Sequence, residues 1–230
     1  MDIQTAYNEW SGIYDTNTNL TRDLDSKLTR DLLAHQQFDS ILELGCGTGK
    51  NTIFFSQIGK KVHALDFSPG MIEKARTKVS ASHVRFEMAD LTKHWPCQNE
   101  AYDLISCNLF LEHIAELPHI FSEAARVLNR GGKFLINELH PFKQYQGSKA
   151  RFERGTETVE LEVFVHHISE FITTALKQDF KLLHFNEYWH PQDENKPPRI
   201  AAFIFEKQNQ GQGLKEVILA ACPHKRKAIS

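Results

Sequence analysis

Long apolar runs are missing from this chain, and no stretch approaches the ~20 consecutive apolar residues that a membrane-spanning helix needs. The N-terminus, Met1-Asp2-Ile3-Gln4-Thr5, has no basic segment leading into an apolar one, so no secretory signal is expected. Cysteine is scarce. The four present (Cys46, Cys97, Cys107 and Cys222) are scattered, without the C-x-x-C spacing of a zinc site or the density of a disulfide framework. That usage points to a reducing cytoplasm and to no metal centre. An excess of either charge is also absent, the formal net charge being −2. Proteins that grip phosphates usually carry a clear basic excess, so nucleic acid is not a favoured partner. What remains is a chain of 230 residues with 41% apolar content. That suits one well-buried α/β domain, as a monomer or homodimer.

A polar lead dotted with Tyr7, Trp10 and Tyr14 opens the chain. A helical pattern follows from about Thr21, with Leu24, Leu28, Leu32 and Leu33 at helical spacing and Thr21 as the expected cap. From Ser40, strands alternate with helices. The expected strands are Ile41–Leu44, Val62–Asp66, Val84–Met88, Tyr102–Ser106 and Lys133–Glu138. Asn51–Ile58, Pro69–Val79 and Leu117–Leu128 read as helices, the last ended by Gly131-Gly132. This alternation is the mark of a parallel sheet wrapped by helices. The pattern then changes to a charged hairpin around Gly155, a helix near Ser169–Gln178, and strands at Lys181–Tyr188 and Ile200–Glu206.

Ile41-Leu42-Glu43-Leu44-Gly45-Cys46-Gly47-Thr48-Gly49 carries the most information. An apolar strand runs into a turn of alternating glycines, where main-chain amides can approach a ligand closely. The spacing is G-x-G-x-G and not the G-x-G-x-x-G of dinucleotide enzymes. Asp66 ends the second strand, at the edge of the sheet where open α/β folds bind ligands. A carboxylate there accepts both hydroxyls of a ribose by charge-assisted bonds. The third strand ends in Asp90, placed to meet an adenine amino group.

Glu43, Gly45, Gly47, Gly49, Asp66 and Asp90 resemble the motif set of class I S-adenosylmethionine-dependent methyltransferases. So do Tyr102-Asp103-Leu104-Ile105 and Ala124-Ala125-Arg126-Val127-Leu128 running into Gly131-Gly132. The closest likeness is to the branch holding the ubiquinone and menaquinone enzymes, and it covers roughly residues 41–136. The resemblance implies a Rossmann-like α/β fold with helices on both faces. Its seven-stranded sheet is mostly parallel, with the last strand antiparallel. It implies S-adenosylmethionine as cofactor and S-adenosylhomocysteine as product. Gly45 and Gly47 would lie against the methionine portion, with Cys46 and Gly49 also among the cofactor-binding residues. Asp66 would hold the ribose, Phe67 and Met71 the adenine faces, and Asp90 and Leu91 the adenine edge. Asn108 and Leu109 would line the sulfonium side, and Glu43 completes the glycine motif. Residues 1–38 are then a helical lid, with Tyr14 over the cofactor and Arg22 meeting its carboxylate. Residues 39–207 form the methyltransferase domain with a hairpin inserted at about 143–166, and 208–230 form a flexible tail.

Methyl transfer to a small-molecule acceptor is the expected reaction, by in-line displacement at the sulfonium carbon. Positioning and removal of water dominate such a step. A base is needed only where the acceptor loses a proton. His140, just past the fifth strand, is the first candidate and His166 the second, since imidazole titrates near neutrality. His113 reads as structural. The Asn-Pro-Pro-aromatic turn of enzymes that methylate exocyclic amines is replaced here by Asn108-Leu109-Phe110-Leu111. Two alternatives stand beside this reading: a non-catalytic module that binds the cofactor, and a nicotinamide-dependent oxidoreductase.

Overall fold

A computed structural model describes residues 3–16, 18–149, 151–154 and 157–209. Two helices lead, α1 (Ile3–Trp10) and α2 (Leu20–Leu32). β1 (Ile41–Leu44), α3 (Thr52–Ile58), β2 (Val62–Asp66), α4 (Pro69–Lys78) and β3 (Val84–Met88) follow. Next come β4 (Tyr102–Asn108), a 3₁₀ turn (Leu111–His113), α5 (Leu117–Val127), β5 (Leu128–Leu139) and α6 (Pro141–Tyr145). The chain continues through β6 (Arg151–Arg154), β7 (Glu157–Glu160), α7 (Ile168–Lys177), β8 (Phe180–Tyr188) and β9 (Ile200–Lys207).

The main sheet has seven strands in the order β3-β2-β1-β4-β5-β9-β8. β1 through β5 pair in parallel, and β9 runs antiparallel to both its neighbours. The last strand is therefore the antiparallel one, as expected, and it lies one place in from the edge. Parallel strands are covered on both faces, which is why β1 and β2 are buried at every residue. One face packs Trp95, Phe121, Phe134, Phe180, Phe203 and Phe205. The other packs Ile41, Phe55, Leu104 and Leu135 under α2 and α3. Strand order reverses between β1 and β4, and the crevice above their carboxyl ends is where this architecture binds ligands.

Two local expectations are corrected. Thr21 does not cap α2. Asn19 does, with an extended backbone and a side-chain oxygen that accepts from Thr21 N and Arg22 N, both at 3.0 Å. Amide oxygens serve this role well because they reach the orphan first-turn amides. Nor does Gly131-Gly132 end α5, since the chain passes from Val127 directly into β5. The glycines fill an irregularity of register between the Tyr102–Leu128 and Leu104–Lys133 pairs. Gly131 has φ +73°, and a Cβ on Gly132 would lie 2.8 Å from the Asn129 carbonyl oxygen.

The expected hairpin is present as the two-stranded β6–β7 sheet, apart from the main one. Just beyond it, Leu161 packs with Ala6 and Trp10 of α1. Gln208 N bonds Asp179 O at 2.9 Å. Residues 210–230, with most of the proposed tail, lie outside the described residues. No described helix is long and apolar enough to cross a membrane.

Phe121 is fully buried and meets Phe134, Phe180 and Phe205 edge-on. Phe121→Ala is expected to destabilise the fold by about 3–5 kcal/mol, read from the urea midpoint. A midpoint within error of wild type would contradict this core assignment.

Candidate functional site

The site begins where β1 ends. Gly45 and Gly47 have φ +65° and +52°, conformations that favour glycine. A Cβ on Gly45 would press on the Phe110 ring at 3.1 Å, whereas one on Gly47 would meet nothing within 4 Å and would project into open space. Gly49, also left-handed, packs the loop onto Ala75 of α4 and does not face the site.

Asp66 closes the floor. One carboxylate oxygen accepts from Gly47 N and the other from Ser68 N, each at 2.8 Å. The side chain thus ties the turn after β1 to the turn after β2. Burial pushes its pKa up to about 6 against the pull of these amides. Each carboxylate oxygen offers more than one acceptor direction, so capacity remains for hydroxyl donors above it.

A cavity of about 490 Å3 lies over this floor, within the usual range for a small-molecule site. It brings together most of the residues expected from sequence: Tyr14, Gly45, Gly47, Asp66, Phe67, Met71, Asp90, Leu91, Asn108 and Leu109. Glu43, Cys46, Gly49 and Arg22 do not line it. Glu43 points into the protein, where it accepts from Thr52 Oγ1 at 2.5 Å. Cys46 is buried with Ala64, Ile72 and Ala75. These two and Gly49 shape the loop from behind.

The roof is α1, from which Ile3, Gln4 and Tyr7 line the cavity. Gln4 Nε2 donates to Phe67 O at 2.6 Å. Asn8 Oδ1 accepts from Ser68 Oγ at 2.6 Å and from Gly70 N at 3.2 Å. Asn108, opposite, is held from below by Asp25 of α2. That buried carboxylate also accepts the side-chain amides of Asn51 and Asn137.

A second, more open cavity of about 930 Å3 adjoins the first. Tyr7, Tyr14 and Leu109 line both. Arg22 faces the second, stacked 4.1 Å over the Tyr14 ring and donating to Tyr14 O. Trp10, Glu112, Lys149 and Arg199 also face it.

The structure does not bring the two histidines chosen as bases to either cavity. His140 is fully buried. Its Nδ1 accepts from Phe142 N and caps α6, so its Nε2 carries the proton and donates to Glu187 at 2.7 Å. His166 Nε2 bonds the Ile114 carbonyl at 2.6 Å and Nδ1 faces Glu170 at 3.3 Å. Both rings are pegs between loops. The imidazole that does reach the site is His113, passed over as structural. Its Nε2 lies 2.7 Å from Tyr7 Oη, and its Nδ1 faces the Glu162 carbonyl. A carbonyl only accepts, which places the proton on Nδ1 and makes Nε2 the acceptor of the tyrosine hydroxyl. Burial lowers the His113 pKa to about 4, so the ring is neutral near pH 7. Spacing alone did not reveal this pair, because its partners are separated by 106 residues.

Residues 42–136 match the family described as a methyltransferase domain. Over that stretch the chain is similar to methyltransferases. The class I fold expected from the motifs is the one observed, and S-adenosylmethionine is the cofactor it implies. The domain is similar to the malonyl-[acyl-carrier protein] O-methyltransferase of Serratia marcescens, 31% identical over 137 residues, covering 60% of this chain and 52% of that protein. The chain thus spans about half the length of this relative. An uncharacterized methyltransferase of Emericella nidulans is 27% identical over 224 residues, covering 79% of this chain and 76% of that one. In structure, the chain is similar to an S-adenosylmethionine-dependent methyltransferase from Mesorhizobium loti. The TM-score is 0.68 at 18% identity, over 82% of this chain and 100% of that one, a likeness of fold. The relatives do not single out the ubiquinone and menaquinone branch.

Glu43 and Glu138 are both buried carboxyls, pushed from an ordinary 4.5 to about 8 by desolvation. The unfolded chain releases these protons near the ordinary value, so the folded form holds more protons between those limits. Stability contributed by protonated Glu43 and Glu138 is therefore full below about pH 4.5 and lost as pH rises through about 8. The melting temperature is expected to fall from pH 5.5 to pH 8, with a shallower fall in Glu43→Gln. A rise over that interval would contradict the assignment.

Proposed function

We propose that this protein transfers the methyl group of S-adenosylmethionine to a small-molecule acceptor that enters through the second cavity. The observation that carries the reading is the junction of the two cavities at Tyr7, Tyr14 and Leu109. One chamber has the features of a nucleoside site and the other opens to solvent beside it.

In this reading Asp66 accepts the ribose hydroxyls, while Phe67 and Met71 hold the adenine faces and Asp90 and Leu91 its edge. Gly45 and Gly47 admit the methionine portion close to the backbone. Asn108, Leu109 and Tyr14 surround the sulfonium, whose positive charge suits the face of an aromatic ring. Arg22, which faces the second cavity, has no part in the cofactor site in this reading. When bound, the cofactor supplies an electrophilic methyl and a leaving group that departs neutral. The protein positions the acceptor and excludes water. Where the acceptor bears a proton, the Tyr7–His113 pair is placed to take it. The phenol passes its proton to His113 Nε2 as its oxygen receives the acceptor's. A weakly basic imidazole suffices for this, because an oxygen carrying both a proton and a new methyl is a strong acid.

A second reading is methylation of a carboxylate on a malonyl thioester, the substrate named for several relatives. Arg22, Lys149 and Arg199 at the second cavity favour it. Against it, Arg199 is held by Asp193 at 2.5 Å and Lys149 by Glu160 at 2.8 Å. Methyl transfer to malonyl-acyl carrier protein in a direct assay would select this reading over the first.

Calorimetric titration with S-adenosylmethionine and S-adenosylhomocysteine tests the cofactor site. Asp66→Ala removes an acceptor for charge-assisted bonds worth roughly 1.5–3 kcal/mol each. Affinity is expected to fall at least ~10-fold for both ligands, since 1.4 kcal/mol is a factor of ten. Unchanged affinity would overturn the assignment. Tyr7→Phe leaves the ring and removes the proton path. It is expected to lower turnover on a proton-bearing acceptor while leaving cofactor affinity near wild type, and equal turnover would remove Tyr7 from the chemistry.

A further inference from the structure

Glu138, at the carboxyl end of β5, has no part in the roles given so far. The residue is 3% exposed, and one oxygen, Oε1, accepts from both Phe110 N and Leu111 N at 2.8 Å. Those amides belong to the turn that follows β4 and opens the 3₁₀ turn. Leu109 stands there at φ +53°, a strained conformation for a bulky residue. It is fixed from the same strand by its own amide, which donates to Asn137 O at 2.8 Å.

Leu109, Phe110, His113 and Ile114 form one wall of the cofactor cavity. The Phe110 ring fills the space beside Gly45, at 3.1 Å from where a Cβ would stand. His113 N bonds Phe110 O at 3.0 Å, so the imidazole that meets Tyr7 is carried by the same turn. Without Glu138, the amides of Phe110 and Leu111 would lack partners, and the turn beyond the left-handed Leu109 would be held only by the Leu109 N–Asn137 O bond.

We propose that Glu138 is a positioning residue of the cofactor site. It pins the turn 109–113 so that Leu109 and Phe110 close on the methionine side and His113 meets Tyr7. It acts through backbone amides, and the feature it needs is an oxygen acceptor at that place. The proposal rests on the reading of the first cavity as the cofactor site.

S-adenosylhomocysteine titrations of wild type, Glu138→Gln and Glu138→Ala test it, with melting temperature and amide hydrogen exchange measured on the same samples. The glutamine keeps a carbonyl oxygen at the end of a side chain of equal length. Glu138→Gln is expected to bind within about threefold of wild type, and Glu138→Ala to bind at least tenfold more weakly. Exchange at Phe110 and Leu111 is expected to rise in the alanine variant alone. If Glu138→Ala does not fold, Glu138→Asp, one methylene too short, is expected to show the same loss.

A purely structural residue would lower the melting temperature and leave S-adenosylhomocysteine affinity unchanged, which would overturn the proposal. So would a glutamine variant as weak as alanine, because charge and not acceptor geometry would then be at work. Absence of binding in wild type would instead defeat the cofactor reading. The exchange arm still reports whether Glu138 pins the turn.

Discussion

The carboxylate of Asp66, held between the amides of Gly47 and Ser68, is the contact on which the site depends. A parallel sheet sends all its strands toward one edge, and the turns beyond that edge carry amides that no ladder satisfies. Here the first two such turns share one carboxylate. That sets the distance between the glycine loop and α4, and α1 then closes over the result. Gln4 and Asn8 bond Phe67, Ser68 and Gly70, atoms of the same turn that Asp66 fixes. Floor and roof thus refer to a single anchor.

The interior behind the cavity is acidic. Asp25, Glu43, Asp66 and Glu138 are all buried, and burial raises the pKa of each. Their hydrogen-bond partners are amides and two threonine hydroxyls, not buried bases. Carboxyls in such surroundings resist ionisation until a positive charge approaches. A sulfonium ligand brings that charge, whereas its thioether product does not. The same burial makes the fold easier to hold at mildly acidic pH than at alkaline pH.

Much of this was legible in the sequence. β1 and β2 fall where the sequence places them, because strands buried along their whole length read as largely apolar segments. β3, at the sheet edge, shows instead the alternation of Val84, Phe86 and Met88 with charged residues. Asp66 was legible for the same reason, since the end of a strand fixes where its carboxylate must lie. Residues whose role depends on distant partners were not. His140 follows a strand end as Asp66 does, yet Phe142 N and Glu187 take both its nitrogens. His113 acquires its role from Tyr7, on a helix that the spacing of Tyr7, Trp10 and Tyr14 did not orient. Glu138 stands two residues before His140, and its partners are backbone amides, which carry no signature in side-chain identity. The glycine pair after α5 was misread because a register irregularity and a helix terminus require the same residue.

The most direct test of the account is a crystal structure of the protein with S-adenosylhomocysteine. The ribose hydroxyls should lie within hydrogen-bond distance of Asp66, with adenine beside Phe67 and Met71 and the sulfur facing the junction at Tyr7, Tyr14 and Leu109. A ligand bound elsewhere, or one whose sulfur points away from the second cavity, would contradict it.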